Sequence, residues 1–171
     1  DIPMVQRILE SGREVISEVE LAYRLTSTPI VAITGTNGKT TTTALAGAIF
    51  HLSGRDAFVV GNIGTPVIPA AVNSHPGDVL VAEISSFQLE GTRDFRPAAA
   101  AVLNITPDHL DRHGTFDNYS DIKARILKNQ GPEDFAVLNA DEQVTASLAK
   151  KCRAKVLYFS RHRIMDEGAF V

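Results

Sequence analysis

The most constraining feature of the chain is a set of short apolar runs separated by helix-length polar–apolar segments. The runs are Ile30–Thr34, Ala57–Val60, Val79–Glu83, Ala98–Asn104, Phe135–Asn139 and Lys155–Phe159. Several are apolar throughout instead of alternating, the pattern of strands buried on both faces. Between and before them lie helical patterns at Met4–Glu10, Glu18–Leu25, Lys39–Leu52, Pro66–Val72, Asn118–Asn129 and Glu142–Lys150. Strand and helix in turn predict an α/β fold: an open, mostly parallel sheet with helices on both faces. The chain has 171 residues, enough for one such body with a sizeable core. Residues 1–28 read as a helical lead-in from a preceding domain, and 29–171 as an incomplete nucleotide domain. Residue 1 is not Met and no helix cap or polar tail closes Gly168–Val171, so a fragment of a longer protein is expected.

Composition narrows the class. A net charge of −3 leaves no basic footprint for nucleic acid. No apolar run approaches the roughly 20 residues of a membrane span, and no charged-then-apolar leader is visible. The single cysteine, Cys152, allows no internal disulfide and fits a reducing cytoplasm.

Chemistry gathers where strands end. Val31–Leu45 reads VAITGTNGKTTTTAL, a strand, a glycine turn, a lysine and four threonines opening a helix. Glycines let the backbone turn tightly and aim its N–H groups at phosphate oxygens. The helix N-terminus adds partial positive charge. Lys39 reaches the β/γ-phosphates and the Thr40 hydroxyl ligates Mg²⁺ in a phosphate loop of this kind. Only two residues separate Gly35 from Gly38, against the usual four, so the loop is a short form. The helix after it carries Ala44, Leu45, Ala48, Ile49 and Leu52 on one face, and that face is expected to pack on the sheet.

Two further strand ends carry polar groups. Glu83 closes DVLVAE, where an acid faces a nucleotide crevice and can hold Mg²⁺; a surface acid is the plain alternative. After AAAAVLN comes ITPDHLDRHG, with Asp108, His109, Asp111 and His113. With no cysteine nearby, Mg²⁺ or Mn²⁺ suits the loop better than Zn²⁺. His113 reads as part of a solvated polar loop. In the next helix, at about 100° per residue, Lys123 falls about 40° from Tyr119, between Ile122, Ile126 and Leu127. Asp121, Arg125 and Lys128 take the opposite side. A lysine amid an apolar stripe either snorkels to the rim or is buried for a reason.

Taken jointly, TGTNGKTT, VAEISSFQLE, LNITPDHLDRHG, YSDIKARIL and AVLNADE resemble the central ATP-binding domain of the Mur ligase family over about residues 5–160. The stretch SSFQLE is similar to the branch that adds D-glutamate. The resemblance implies an ATP-dependent, ADP-forming amide ligase acting on UDP-N-acetylmuramoyl-L-alanine and D-glutamate through an acyl phosphate, in peptidoglycan precursor synthesis. It implies ATP binding by Gly35, Thr36, Asn37, Gly38, Lys39, Thr40 and Thr41, and catalytic roles for Lys39, His109 and Lys123. Asn62 in GNIG, with His109, would contact the muramoyl substrate. One Mg²⁺ would sit on Thr40 and Glu83, and a second on His109 and a carbamylated Lys123. A cytoplasmic monomer, without nucleic acid or membrane partners, is expected. A C-terminal amino-acid-binding domain is expected to be missing, leaving this chain inactive alone. The alternatives are another Mur-type or folylpolyglutamate ligase, or a non-catalytic nucleotide-binding module.

Overall fold

The structure, a computed structural model, describes residues 3–165 and 167–170. Two helices lead in, α1 (Pro3–Glu10) and α2 (Glu18–Leu25). The phosphate-loop unit follows as β1 (Ile30–Thr34) and α3 (Lys39–Leu52), then β2 (Ala57–Gly61) and α4 (Val67–Asn73). Next come β3 (Val79–Glu83), α5 (Ser86–Glu90) and β4 (Ala99–Val102). Short α6 (Leu110–His113) precedes α7 (Phe116–Ala124), which tightens into a 3₁₀ turn at Arg125–Leu127. Then β5 (Phe135–Asn139), α8 (Gln143–Ser147), β6 (Lys155–Ser160) and β7 (Gly168–Phe170) complete the chain.

All seven strands pair in parallel, in the order β2-β3-β1-β4-β5-β6-β7. β1 therefore lies between β3 and β4: the chain runs from β1 to β2 on one side and, after β3, crosses to β4 on the other. That is the topological switch at which open sheets bind ligands, beyond the carboxyl ends of the strands. The loops after β1, β3 and β4 all open there.

The two faces of the sheet are unequally covered. On one, α2, α4, α5 and α7 bury a continuous core that includes Val19, Ala22, Leu80, Phe95, Tyr119, Ile126 and Leu138. On the other, Ile33, Val79 and Val81 are covered through Ala46 and Phe50 of α3. The orientation of α3 corrects the sequence expectation. Thr43 and Gly47 are its buried residues, while Leu45, Ile49 and Leu52 are 59%, 57% and 86% exposed. Close approach decides it: a Cβ on Gly47 would lie 2.3 Å from Val59 Cγ2, so only the small side of the helix fits against the strands.

The lead-in helix α2 belongs to the main core, since Val19 and Ala22 are buried in it. Its Glu20 is fully buried and accepts the backbone N–H groups of Arg93, Asp94 and Phe95 at 2.8 to 3.1 Å. Arg24 pairs with Glu20, Glu14 and Asp94, and Arg93 pairs with Glu14. Burial opposes ionisation of Glu20, yet those N–H donors and the Arg24 guanidinium hold it below the usual carboxylate range. By contrast α1 buries none of its residues. No helix among the described residues is long and apolar enough to cross a membrane.

Candidate active site

The loop after β1 is pinned from the far side. Asn104, just past β4, accepts the Asn37 N–H at 2.8 Å and donates to the Asn37 carbonyl at 2.9 Å. The Thr36 N–H reaches the Asn104 carbonyl at 3.0 Å, and the Thr36 hydroxyl accepts the Thr106 N–H at 3.0 Å. This pairing shortens β4 relative to the expected Ala98–Asn104, because residues 103–106 turn away to hold the loop. Gly38 sits at φ +81° as the N-cap of α3, a backbone that suits glycine. The Lys39 ammonium folds back and donates to the carbonyls of Gly35 (3.0 Å) and Thr36 (2.9 Å).

Along α3 the hydroxyls divide. Those of Thr42 and Thr43 bond backward to the carbonyls of Gly38 and Lys39. Those of Thr40 and Thr41 hold no hydrogen bond among the described residues and stand exposed at the helix start.

Lys123 is buried, 2% exposed, which decides between the two sequence alternatives. Its Nζ donates to the Gly35 carbonyl at 2.9 Å, and it lies 4.8 Å from the centre of the Tyr119 ring. Burial, then repulsion from Lys39, pulls its pKa down to about 8, against an opposing pull from Asp108. Tyr119, which the sequence offered only as an apolar position, touches Thr36 Oγ1 at 3.3 Å through its hydroxyl. Burial raises its pKa, with the Thr36 contact opposing.

Glu83 is 2% exposed at the end of β3. One carboxylate oxygen accepts from Asn62 Nδ2 at 3.1 Å, and the other, Oε2, is buried without a hydrogen-bond partner. The two strand ends meet closely: at Gly61, φ +110°, a Cβ would fall 2.2 Å from the Glu83 carbonyl oxygen. A buried, unpartnered carboxylate oxygen is costly and fits a cation. Among the described residues no three His, Cys, Asp or Glu side chains converge on one point. A metal here would draw its remaining ligands from phosphate and water, as Mg²⁺ commonly does.

His109 is the one described non-glycine residue with positive φ (51°). Its side chain is 48% exposed; Asp108 accepts the His109 backbone N–H at 2.9 Å and faces Nε2 at 3.5 Å. His113 is not solvated as expected: it is 4% exposed, with Nε2 3.0 Å from Ser86 Oγ. The five-residue helix α5 supplies that partner, and a helix so short leaves no periodic signal in the sequence.

Lys39, Asn62, His109 and Lys123 line a single cleft of about 120 Å³, joined by Ser85, Ser86, Phe87, Asp108 and Tyr119. Four of the expected site residues thus converge. Thr40 and Thr41 stand on the neighbouring helix turn, and Glu83 lies beneath Asn62. The residues the sequence reading leaves unassigned are Ser85, Ser86, Phe87 and Tyr119 in the cleft and Asn104 behind the loop. Their only sequence signal was position, directly beside residues that had been singled out.

Comparison with known proteins bears on this cleft. Residues 33–166 match the model of the Mur ligase middle domain. The chain belongs to the Mur ligase family. It is 54% identical over 168 residues to a UDP-N-acetylmuramoylalanine–D-glutamate ligase of Caldanaerobacter subterraneus subsp. tengcongensis, covering 98% of this chain and 37% of that protein. A Clostridioides difficile protein of the same name is 52% identical over 172 residues, with 100% and 38% covered. The chain thus spans little more than a third of these Mur ligase relatives. Among solved structures, the MurF ligase of Thermotoga maritima in complex with ADP aligns at TM-score 0.65 and 22% identity, over 85% of this chain and 36% of that one. The UDP-N-acetylmuramate:L-alanyl-gamma-D-glutamyl-meso-diaminopimelate ligase of Neisseria meningitides aligns at TM-score 0.67 and 19% identity, over 96% and 58%. At these identities they bear out the fold alone, an α/β parallel sheet.

Proposed function

We propose that this chain is the nucleotide-binding middle segment of an ATP-dependent amide ligase that joins D-glutamate to UDP-N-acetylmuramoyl-L-alanine in the cytoplasm. The convergence of Lys39 and Lys123 on one loop carbonyl, facing His109 across the cleft, carries the reading. The branch assignment draws on SSFQLE and on the relatives named above. Residues 1–28 lead in from a domain that grips the uridine diphosphate. A further domain brings D-glutamate and completes the site. Alone, this segment binds nucleotide weakly and does not turn over.

In this reading ATP phosphorylates the substrate carboxylate to an acyl phosphate and leaves as ADP. The D-glutamate amine attacks, and the tetrahedral adduct collapses to an amide and phosphate. Lys39 leaves the carbonyls of Gly35 and Thr36 and takes up the β/γ charge, while the loop N–H groups hold phosphate oxygens. Mg²⁺, when bound, neutralises charge gathering on the transferring phosphoryl group. Thr40 and Glu83 would hold one ion, and His109 with a modified Lys123 the other. Asn62, with His109, orients the muramoyl substrate. The modification is carbamylation: the neutral Lys123 amine adds CO₂ and releases a proton, giving a carbamate anion. A lowered pKa keeps the required free amine available. A binding module without ligation has no use for a lysine buried at this cost, which weighs against that alternative.

The test is calorimetric titration of the chain with a non-hydrolysable ATP analogue and Mg²⁺, beside Lys39→Ala. Wild-type binding weakened at least about tenfold by the substitution supports the reading. Equal binding by both, or none by a folded wild type, overturns it. Acceptor choice is read on the complete protein, where D-glutamate should outpace other amino acids.

A further inference from the structure

His113 stands behind the wall of the cleft, its side chain fully shielded. Its ring touches the wall at several points. Nε2 meets Ser86 Oγ at 3.0 Å. Nδ1 faces Glu90 Oε1 at 3.2 Å, off the axis a hydrogen bond needs. Arg112 holds the other Glu90 oxygen at 2.7 Å. The ring stacks on Phe87 at 5.4 Å and 23°, and tilts against Tyr119 at 5.3 Å. Phe87 in turn lies 5.0 Å from the His109 ring, and Tyr119 lies under Lys123.

Ser86, His113 and Glu90 stand in the order of a hydrolytic triad. Ser86 is only 2% exposed, and the carboxylate misses the ring N–H axis, so no nucleophile is presented. The arrangement acts instead as a brace. A buried imidazole is costly unless its nitrogens are engaged, and an apolar residue would fill the same space more cheaply. What imidazole adds is a ring plane held at one edge by the Ser86 hydrogen bond, with the Glu90 carboxylate close at the other. That plane sets the Phe87 stack, and Phe87 is the wall against which His109 leans. His109 needs such support, because a left-handed backbone is unfavourable for a residue with a side chain.

We propose that His113 is a positioning residue, setting His109 through Phe87 and Lys123 through Tyr119, so that groups from two elements stay in register. The proposal rests on the ligase reading of the cleft. It bears on turnover and leaves the affinity for ATP nearly untouched.

Two variants of the complete ligase test it. His113→Leu removes the stack and both edge contacts, and His113→Phe keeps the stack alone. Leu should lower kcat at least about tenfold with KM for ATP within about threefold, since misplacement of the order of 1 Å costs up to about 100-fold. Phe should fall between Leu and wild type. A Leu variant with wild-type kcat per folded molecule overturns the proposal, as does equal loss of kcat and rise of KM in both variants. A second readout avoids ligation: ring-to-ring nuclear Overhauser contacts between Phe87 and His109 in the 171-residue chain. They should vanish in the Leu variant, or weaken in the Phe variant if Leu does not fold; unchanged contacts sink the brace. A wild-type ligase that ignores D-glutamate defeats the functional reading, while those contacts still decide the brace.

Discussion

Lys123 shows most directly how one residue couples stability to chemistry. With a pKa near 8 when folded and an ordinary value of 10.5 when unfolded, it binds fewer protons in the folded state between those limits. Its destabilising effect is therefore fully present below pH 8 and fades as pH rises towards 10.5. Urea unfolding across this range should show stability rising with pH. Subtracting the profile of Lys123→Met should remove this part of the slope, since the substitution deletes the titrating group. The difference is about 3 kcal/mol at most, from 1.36 kcal/mol per pH unit. An identical slope in both proteins would mean that Lys123 titrates normally. Glu20 gives the opposite sign. Its depressed pKa contributes stability above the unfolded value and loses it as pH falls. Replacing it with Ala strands three backbone N–H groups and Arg24, and should cost about 3 kcal/mol in denaturant titration.

At the level of elements, the sequence revealed strands and long helices well, because their apolar content does not depend on neighbours. Lys123 was placed correctly by helical geometry alone, and its flanking Ile122, Ile126 and Leu127 are all buried. Helix α3 was turned the wrong way because the hydrophobic stripe and the packing surface differ. Thr43 and Gly47 make the close contact, and no periodicity of apolar residues marks them. Helices α5 and α6 span five and four residues, too few for a period, so the partners of His113 could not be read. The orientation of α3 can be checked: Leu52→Gln should change stability by no more than about 0.5 kcal/mol, while Phe50→Ala should cost about 2 kcal/mol or more. Gly61→Ala combines a left-handed φ with a clash on the Glu83 carbonyl, and should cost about 2–4 kcal/mol while weakening nucleotide binding.

For the whole molecule, the switch point gathers three loops into one cleft, and this could be anticipated from strand order once the phosphate loop was recognised. The clamp around Glu20 could not: its partners lie some 73 to 75 residues along the chain, and nothing in the local sequence announces a buried carboxylate. Mechanically, that clamp fixes where the body ends. Glu14, Glu20, Arg24, Arg93 and Asp94 form a rivet, whereas α1 ahead of it buries none of its residues. A pull or twist applied to the leading residues is taken up around the exposed turn at Ser11 and Gly12, before it reaches the rivet. The fulcrum for anything attached upstream is therefore set beside Glu14, well short of the phosphate loop it would otherwise disturb.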